Sequence, residues 1–154
     1  MAFIAYQTND GLAITIPTGE LPIEQVLQKD CPAGAVIVDT LPAERDFRNA
    51  WELTGTEVTV NFTKAQAITK DRLRAERTPL LEAQDVAFQR ALESGADTSA
   101  IVAEKNRLRD ITSQVDGATE LAQLRDLTCA STELAPVVVE PVVTPVVEAP
   151  VEGA

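Results

Sequence analysis

A chain of 154 residues with 24 Asp and Glu against 13 Lys and Arg has a formal net charge of −11. This excess of negative charge argues against nucleic-acid and membrane partners, because both need clustered Lys and Arg to offset phosphate charge. The sequence contains no histidine, which removes the commonest general base and metal ligand. We therefore predict a protein without enzymatic activity, cofactor or metal.

The N-terminal region, MAFIAYQTNDG, has neither the basic part nor the long apolar part of a signal peptide. No apolar run approaches the length of about 18 residues that a membrane-spanning helix requires. We expect the chain to be cytosolic when it is made. Cys31 and Cys129 are too few and too scattered for a disulfide framework or a zinc site, and we expect free thiols that fill apolar space.

Residues 1–62 are predicted to form a small β-rich α+β domain. The stretches FIAYQ and LAITIP flank TNDG, whose Asn-Asp-Gly sequence suits a tight hairpin turn. A second strand pair is predicted between GAVIVDTL and GTEVTVNF, because the latter alternates apolar and polar residues. Between the two pairs, PIEQVLQKDCPAG predicts one or two helical turns that end at Pro32 and Gly34.

From Thr63 onward the spacing of apolar residues changes to about 3.6, which indicates helices. Thr63 and Gln66 match the capping box of a helix start, and Gly95 is expected to end that helix. Pro79 is expected to kink the helix or to split it in two. A second helix capped by Asp97, and a short third helix in TELAQLRDL, complete an antiparallel helical hairpin with a closing helix.

The final stretch, APVVVEPVVTPVVEAPVEGA, is a low-complexity run of Pro, Val and Glu. Its prolines forbid a helix, which leaves an extended or polyproline-like conformation. The segment is either an inert solvated tail or an extended strand for a sheet edge or apolar groove of a partner. The whole chain is thus predicted to be α+β, divided into 1–62, 63–128 and 129–154. The candidate contacts in the tail are its valines, Val137, Val138, Val139, Val142, Val143, Val146 and Val147.

Basic residues cluster in the helical stretch KDRLRAERTPLLEAQD, where Arg72, Arg74 and Arg77 alternate with carboxylates. Asp71 and Arg74 are three residues apart, the spacing at which helical side chains meet. A solvated, salt-bridged face is therefore favoured over a nucleic-acid patch.

The segment LPAERDFRNAW, residues 41–51, contains the single Trp of the chain. Arg45 and Arg48 lie three apart and Phe47 and Trp51 four apart, so on a helical turn each pair would share a face, one cationic and one aromatic. Arg and Trp are enriched among the residues that dominate interface energetics. The segment is predicted either to dock an acidic partner surface or to tie the β-rich unit to the chain's own helices.

These motifs carry a resemblance to bacteriophage proteins. LPAERDFRNAW, with KDCPAGAVIVDT and Tyr-x-x-Asn-Asp-Gly before it, resembles a small tailed-phage protein family with a Leu-Pro-x-x-Arg-x-Phe-Arg-x-Ala-Trp signature, often encoded near tail and fibre genes. LRAERTPLLEAQD followed by EKNRLRDIT is similar to the pattern of phage tail assembly chaperones and tail-fibre assembly proteins, with Asn106-Arg107 where that pattern has Tyr-Arg. The two patterns touch most of residues 1–128, and the valine-rich tail matches neither.

The resemblance implies a non-enzymatic virion protein of the tail region, present in the host cytoplasm during assembly. It would be an adaptor or accessory component that binds tail, baseplate or fibre proteins. The alternative is an assembly chaperone that is absent from the mature particle. A homo-oligomer in a symmetric assembly and a host-directed regulator both stay open, and no catalytic residues are implied.

Overall fold

The computed structural model describes residues 1–130. The strands are β1 (Phe3–Thr8), β2 (Gly11–Thr15), β3 (Val36–Val38), β4 (Trp51–Thr54) and β5 (Glu57–Val60). The α-helices are α1 (Ile23–Asp30), α2 (Phe62–Ser94), α3 (Ser99–Asp110) and α4 (Leu121–Asp126). Two 3-10 segments cover Arg45–Ala50 and Ile111–Gly117. The α+β prediction is confirmed, and the predictions for the valine-rich tail fall outside the described residues.

Two small antiparallel sheets form the N-terminal part. The first has the order β2-β1-β3, so the predicted hairpin between β1 and β2 is confirmed. The second consists of β4 and β5. The predicted pairing of GAVIVDTL with GTEVTVNF is wrong, because β3 pairs with β1 and β5 pairs with β4. Gly55, with φ 64°, opens the two-residue loop between β4 and β5, and a local hairpin closes at less entropic cost than a distant pairing.

The long helix α2 is capped by Asn61, the residue before its first turn, and not by the predicted capping box of Thr63 and Gln66. The Asn61 Oδ1 atom accepts a hydrogen bond of 3.0 Å from the Lys64 main-chain N–H. The Asn61 Nδ2 group also donates to the Glu52 carboxylate at 2.9 Å, which ties the helix start to β4. The amide of Gln66 instead donates to the main-chain oxygen of Val115. The capping prediction is therefore wrong by two residues.

Replacing Asn61 with Ala is expected to lower the free energy of unfolding by about 1–2 kcal/mol, the usual cost of losing a side-chain cap. Thr63→Ala is the matched control, because Thr63 is exposed and is expected to change stability by no more than about 0.5 kcal/mol. Urea denaturation followed by far-UV circular dichroism measures both. An equal loss for the two variants would restore Thr63 as the cap.

Helix α2 runs for 33 residues without a break at Pro79, so the predicted split is wrong. Proline removes one main-chain hydrogen bond, but α3 packs along α2 and helps to hold it in helical form. The helix ends where predicted, at Gly95, whose φ of 67° is left-handed. Asp97 was predicted to cap α3. Its carboxylate accepts a hydrogen bond from the Ser99 main-chain N–H at 3.1 Å, but the N-cap position itself is occupied by Thr98.

The hairpin of α2 and α3 is antiparallel. Lys105 of α3 pairs with Asp85 late in α2, whereas Val115, after α3, meets Gln66 early in α2. The side chains of Ile111 and Val115 are fully buried in this hairpin. Helix α4 then closes the open side against α2. No helix within residues 1–130 is long and apolar enough to cross a membrane.

The hydrophobic core has two clusters. The first joins the helices to the first 3-10 segment, and the second lies between the sheets. Val60 packs against both and links them. Both cysteines are free thiols, as predicted, with Cys129 buried in the first cluster and Cys31 half-buried. The first cluster includes Phe47, Ala50, Ala65, Leu73, Leu108, Ile111, Val115, Leu124 and Leu127, and the second Ala5, Val38, Trp51 and Val58.

Candidate protein-interaction surface

The segment LPAERDFRNAW, residues 41–51, connects the two clusters of the hydrophobic core. Phe47 is 1% exposed and lies in the helical cluster, while Trp51 is 2% exposed and lies in the cluster between the sheets. Ala50 accepts a main-chain hydrogen bond from Asn61 at 2.8 Å, immediately before α2. The segment thus joins the sheets to the long helix, and both aromatic side chains are core residues. This arrangement corresponds to the intramolecular alternative drawn from the sequence.

The two arginines of the segment lie over the Trp51 ring. The Cζ atom of Arg48 is 4.9 Å and that of Arg45 is 5.8 Å from the ring centroid. The ring is fixed by its own burial and by the indole N–H, which donates to the Glu44 main-chain oxygen at 3.3 Å. The sequence predicted separate cationic and aromatic faces. A 3-10 segment with a non-helical Phe47, φ −103° and ψ 27°, instead brings the cations onto the aromatic ring.

We call Arg45, Arg48 and Trp51 the arginine platform. Both arginines are exposed, and neither guanidinium group makes a hydrogen bond or ion pair within residues 1–130. In contrast, seven of the 13 Lys and Arg pair with carboxylates. The neighbouring carboxylate of Glu44 lies 3.6 Å from Arg125 instead. The platform therefore presents two ordered guanidinium groups to an external acceptor.

A second cluster of polar contacts holds the main chain of α4. One guanidinium nitrogen of Arg72, Nη2, donates to the main-chain oxygen of Leu124 at 2.9 Å and to that of Leu127 at 2.6 Å. Leu124 lies in the last turn of α4 and Leu127 follows the helix as its C-cap, so neither carbonyl has a partner inside the helix. Arg72 thus fastens α4 to the middle of α2.

The main chain near the last described residues is also held by charged side chains. The Cys129 N–H donates to the Glu76 carboxylate at 3.2 Å, and its carbonyl accepts from Arg107 at 2.8 Å. Burial, and then the Glu76 charge, raise the pKa of the Cys129 thiol, which keeps it protonated. The hydrogen bond from Arg107 lowers the pKa of Glu104, so this pair is charged at neutral pH. We call Arg72, Glu76 and Arg107 the main-chain clamp.

The sequence did not predict the main-chain clamp. It placed Arg72 and Glu76 on a solvated, salt-bridged face. Two pairs of that face are confirmed, Arg74 with Asp71 at 2.6 Å and Arg72 with Glu76 at 3.7 Å. Arg77 donates instead to the main-chain oxygen of Arg109 at 2.8 Å. The carbonyls that these arginines bind are 22 to 55 residues away in the sequence. Such distant partners leave no signal in the local spacing of charges, so periodicity could not have found these contacts.

The outer end of the helical hairpin, beyond Leu73 in α2 and before Leu108 in α3, is held by contacts of Lys105 with Asp85 and Phe88 but buries no side chain fully. Helix α2 has no buried residue beyond Leu73, and α3 has none before Leu108. Four large apolar side chains are exposed there, each between 41% and 58%: Leu80, Val86, Leu92 and Val102. This end offers apolar area for a contact with another protein.

A shallow cavity of about 230 Å³ lies between the end of β2 and α1. Its lining combines apolar Ile16 and Leu21 with the carboxylates of Glu20 and Asp30. Within residues 1–130, no group of three or more Cys, Asp and Glu side chains is placed to hold a metal ion. The cavity holds no arrangement from which we derive a reaction.

Comparison with known proteins gives no match to a family model, a curated protein or a solved structure. The resemblance to phage tail proteins therefore rests on the sequence motifs alone. The structure by itself defines an α+β protein that exposes a cationic platform next to its core and four large apolar side chains at the outer end of its helical hairpin.

Proposed function

We propose that this protein is a non-enzymatic adaptor of a phage tail, which binds neighbouring tail, baseplate or fibre subunits through the arginine platform. The observation that carries the proposal is the pair of arginines held on a buried Trp ring without a carboxylate partner in the described chain. A guanidinium binds a carboxylate through two parallel hydrogen bonds, which fixes the orientation of the partner. The phage assignment comes from the sequence motifs.

The geometry of the arginine platform suits repeated weak contacts. Stacking on the ring restricts both guanidinium groups before binding, which reduces the side-chain entropy lost on association. Each exposed Arg–carboxylate pair contributes only about 0.2–1 kcal/mol. Stable attachment through such pairs needs several copies that bind together, as in a symmetric tail ring. The proposal therefore includes a symmetric assembly of this chain.

The exposed apolar residues at the outer end of the hairpin favour the second candidate, an assembly chaperone. Exposed apolar side chains of this kind can cover an apolar segment of a tail or fibre protein until that segment is buried in the particle. As a chaperone, this chain would dissociate when the particle is complete. The two candidates differ in whether the chain stays in the virion.

Mass spectrometry of purified virions tests this difference. An adaptor is expected at a fixed ratio to the major tail protein in every preparation. Presence in infected cells together with absence from particles would reject the adaptor and favour the chaperone.

The double variant Arg45→Gln/Arg48→Gln tests the platform itself. We expect this variant to fold, with a free energy of unfolding lowered by about 0.5–1 kcal/mol for each of the two lost cation–π contacts. We also expect it to be depleted from virions. Arg74→Gln is the control, because Arg74 is also an exposed arginine but pairs only with Asp71 on its own helix. Equal incorporation of wild type, double variant and control would reject the platform as the docking site.

A further inference from the structure

The arginine platform has a complementary sequence within the same chain. Residues 131–154 contain no Lys or Arg and four glutamates, Glu133, Glu140, Glu148 and Glu152. We infer that the platform is a docking site for this acidic C-terminal segment of its own chain. The proposed contact joins the guanidinium groups of Arg45 and Arg48 to glutamates of residues 131–154.

The described fold brings this segment close to the platform. Arg125 of α4 lies 3.6 Å from the carboxylate of Glu44, the residue that precedes Arg45. Ala130 follows five residues after Arg125, which is at most about 18 Å of extended chain. Glu140 follows ten residues later and reaches up to about 36 Å further. The segment is therefore long enough to lay its glutamates over the platform without disturbing the main-chain clamp.

Tethering favours the segment of the same chain over that of a second copy. Two groups of one chain that a short connection can bring together meet at an effective concentration in the millimolar range. A site with a millimolar Kd is then about half occupied in each molecule, whereas a second copy at micromolar concentration would occupy about one site in a thousand. Weak Arg–carboxylate pairs of the kind that the platform offers are therefore sufficient within one chain.

Other charges near the platform limit the strength of this contact. Glu44 and Asp126 are both engaged by Arg125, Asp126 at 2.8 Å. Asp46 is exposed between the two arginines in sequence and repels the same glutamates. The attraction is between exposed groups, so salt screens it, and at about 1 M salt the screening length falls to about 3 Å. We expect docking at low ionic strength and release at high ionic strength.

The inference rests on the proposed function for its consequence, because an assembly partner would compete with the segment for the platform. The docking itself is a property of the isolated chain. It can therefore succeed or fail independently of whether the protein occurs in virions.

Nuclear magnetic resonance of the full-length protein tests the docking. The side-chain Nε–Hε signals of Arg45 and Arg48 are compared between wild type and a full-length variant in which all four glutamates of residues 131–154 are changed to Gln. We expect these two signals to differ between the proteins at low salt and to converge at about 1 M salt. The Nε–Hε signal of Arg74, which pairs with Asp71, serves as the internal control and is expected to stay unchanged.

Two results would overturn the inference. Identical Arg45 and Arg48 signals in wild type and variant at low salt would show that the segment does not reach the platform. A difference that grows with protein concentration would show that the segment binds a second copy. The reciprocal variant, Arg45→Gln/Arg48→Gln, is expected to shift the glutamate signals of the segment in the same salt-dependent way, and unshifted glutamates would also contradict the contact.

Discussion

Replacing Trp51 with Ala is expected to lower the free energy of unfolding by about 3–5 kcal/mol, the range for truncating a buried large aromatic side chain. The ring is 2% exposed and packs in the cluster between the two sheets. The substitution also removes the indole N–H that donates to Glu44. Because domains of this size are stable by about 5–15 kcal/mol, this one change removes a large share of the total.

Urea denaturation measures this loss and must be followed by far-UV circular dichroism, because Trp51 is the single Trp of the sequence and the variant has no Trp fluorescence. Leu92→Ala is the control, since Leu92 is 58% exposed and is expected to change stability by no more than about 0.5 kcal/mol. A loss below about 1 kcal/mol for Trp51→Ala would show that the indole is not a core residue.

Trp51→Phe separates the core role of the residue from its role in the arginine platform. Phe retains an aromatic ring beneath Arg45 and Arg48 but lacks the N–H donor. We expect a smaller loss of stability than for Ala, and retention of partner binding where the Ala variant loses it. The comparison thus shows whether binding depends on the ring as a support for the arginines.

Elements with local signals were predictable from the sequence. The Asn-Asp-Gly turn placed the first hairpin, and Gly95 placed the end of α2, because each signal lies at the position that it controls. The strand partners of β3 and β5 were not predictable in the same way. Strand β5 alternates apolar and polar residues and β3 is a short apolar run, but neither pattern specifies a partner. The partner of β5 is β4, a strand that was not predicted from the sequence.

The candidate site was predictable in its residues but not in its geometry. Arg45, Arg48 and Trp51 were identified by residue type, yet a regular helical turn would place arginines and aromatics on different sides. The stacking occurs together with a non-helical backbone at Phe47, whose side chain packs into the helical cluster. The main-chain clamp was missed for another reason, because every backbone carbonyl has the same chemistry whatever its residue type.

Among the residues of the main-chain clamp, Arg72 is the one whose replacement we expect to lower the free energy of unfolding most. Changing Arg72 to Met retains most of the aliphatic stem but removes both hydrogen bonds to the carbonyls of Leu124 and Leu127. Hydrogen bonds to charged groups contribute about 1.5–3 kcal/mol each, and the two share one guanidinium, so we expect a loss of about 2–4 kcal/mol. Leu124 and Leu127 are buried, so the loss is expected to spread into the helical cluster.

Arg74→Met is the matched control, two residues further along the same helix. Arg74 is exposed and pairs only with Asp71, so its removal is expected to cost no more than about 0.5 kcal/mol. Amide hydrogen exchange gives the local test: the Leu127 N–H, which donates to Gln123, is expected to exchange faster in Arg72→Met than in Arg74→Met. Both substitutions remove one positive charge and one ion pair on the same helix, with Glu76 for Arg72 and with Asp71 for Arg74, but only Arg72→Met also releases carbonyls of α4. Equal stability and equal exchange in the two variants would therefore show that the hydrogen bonds from Arg72 do not hold α4.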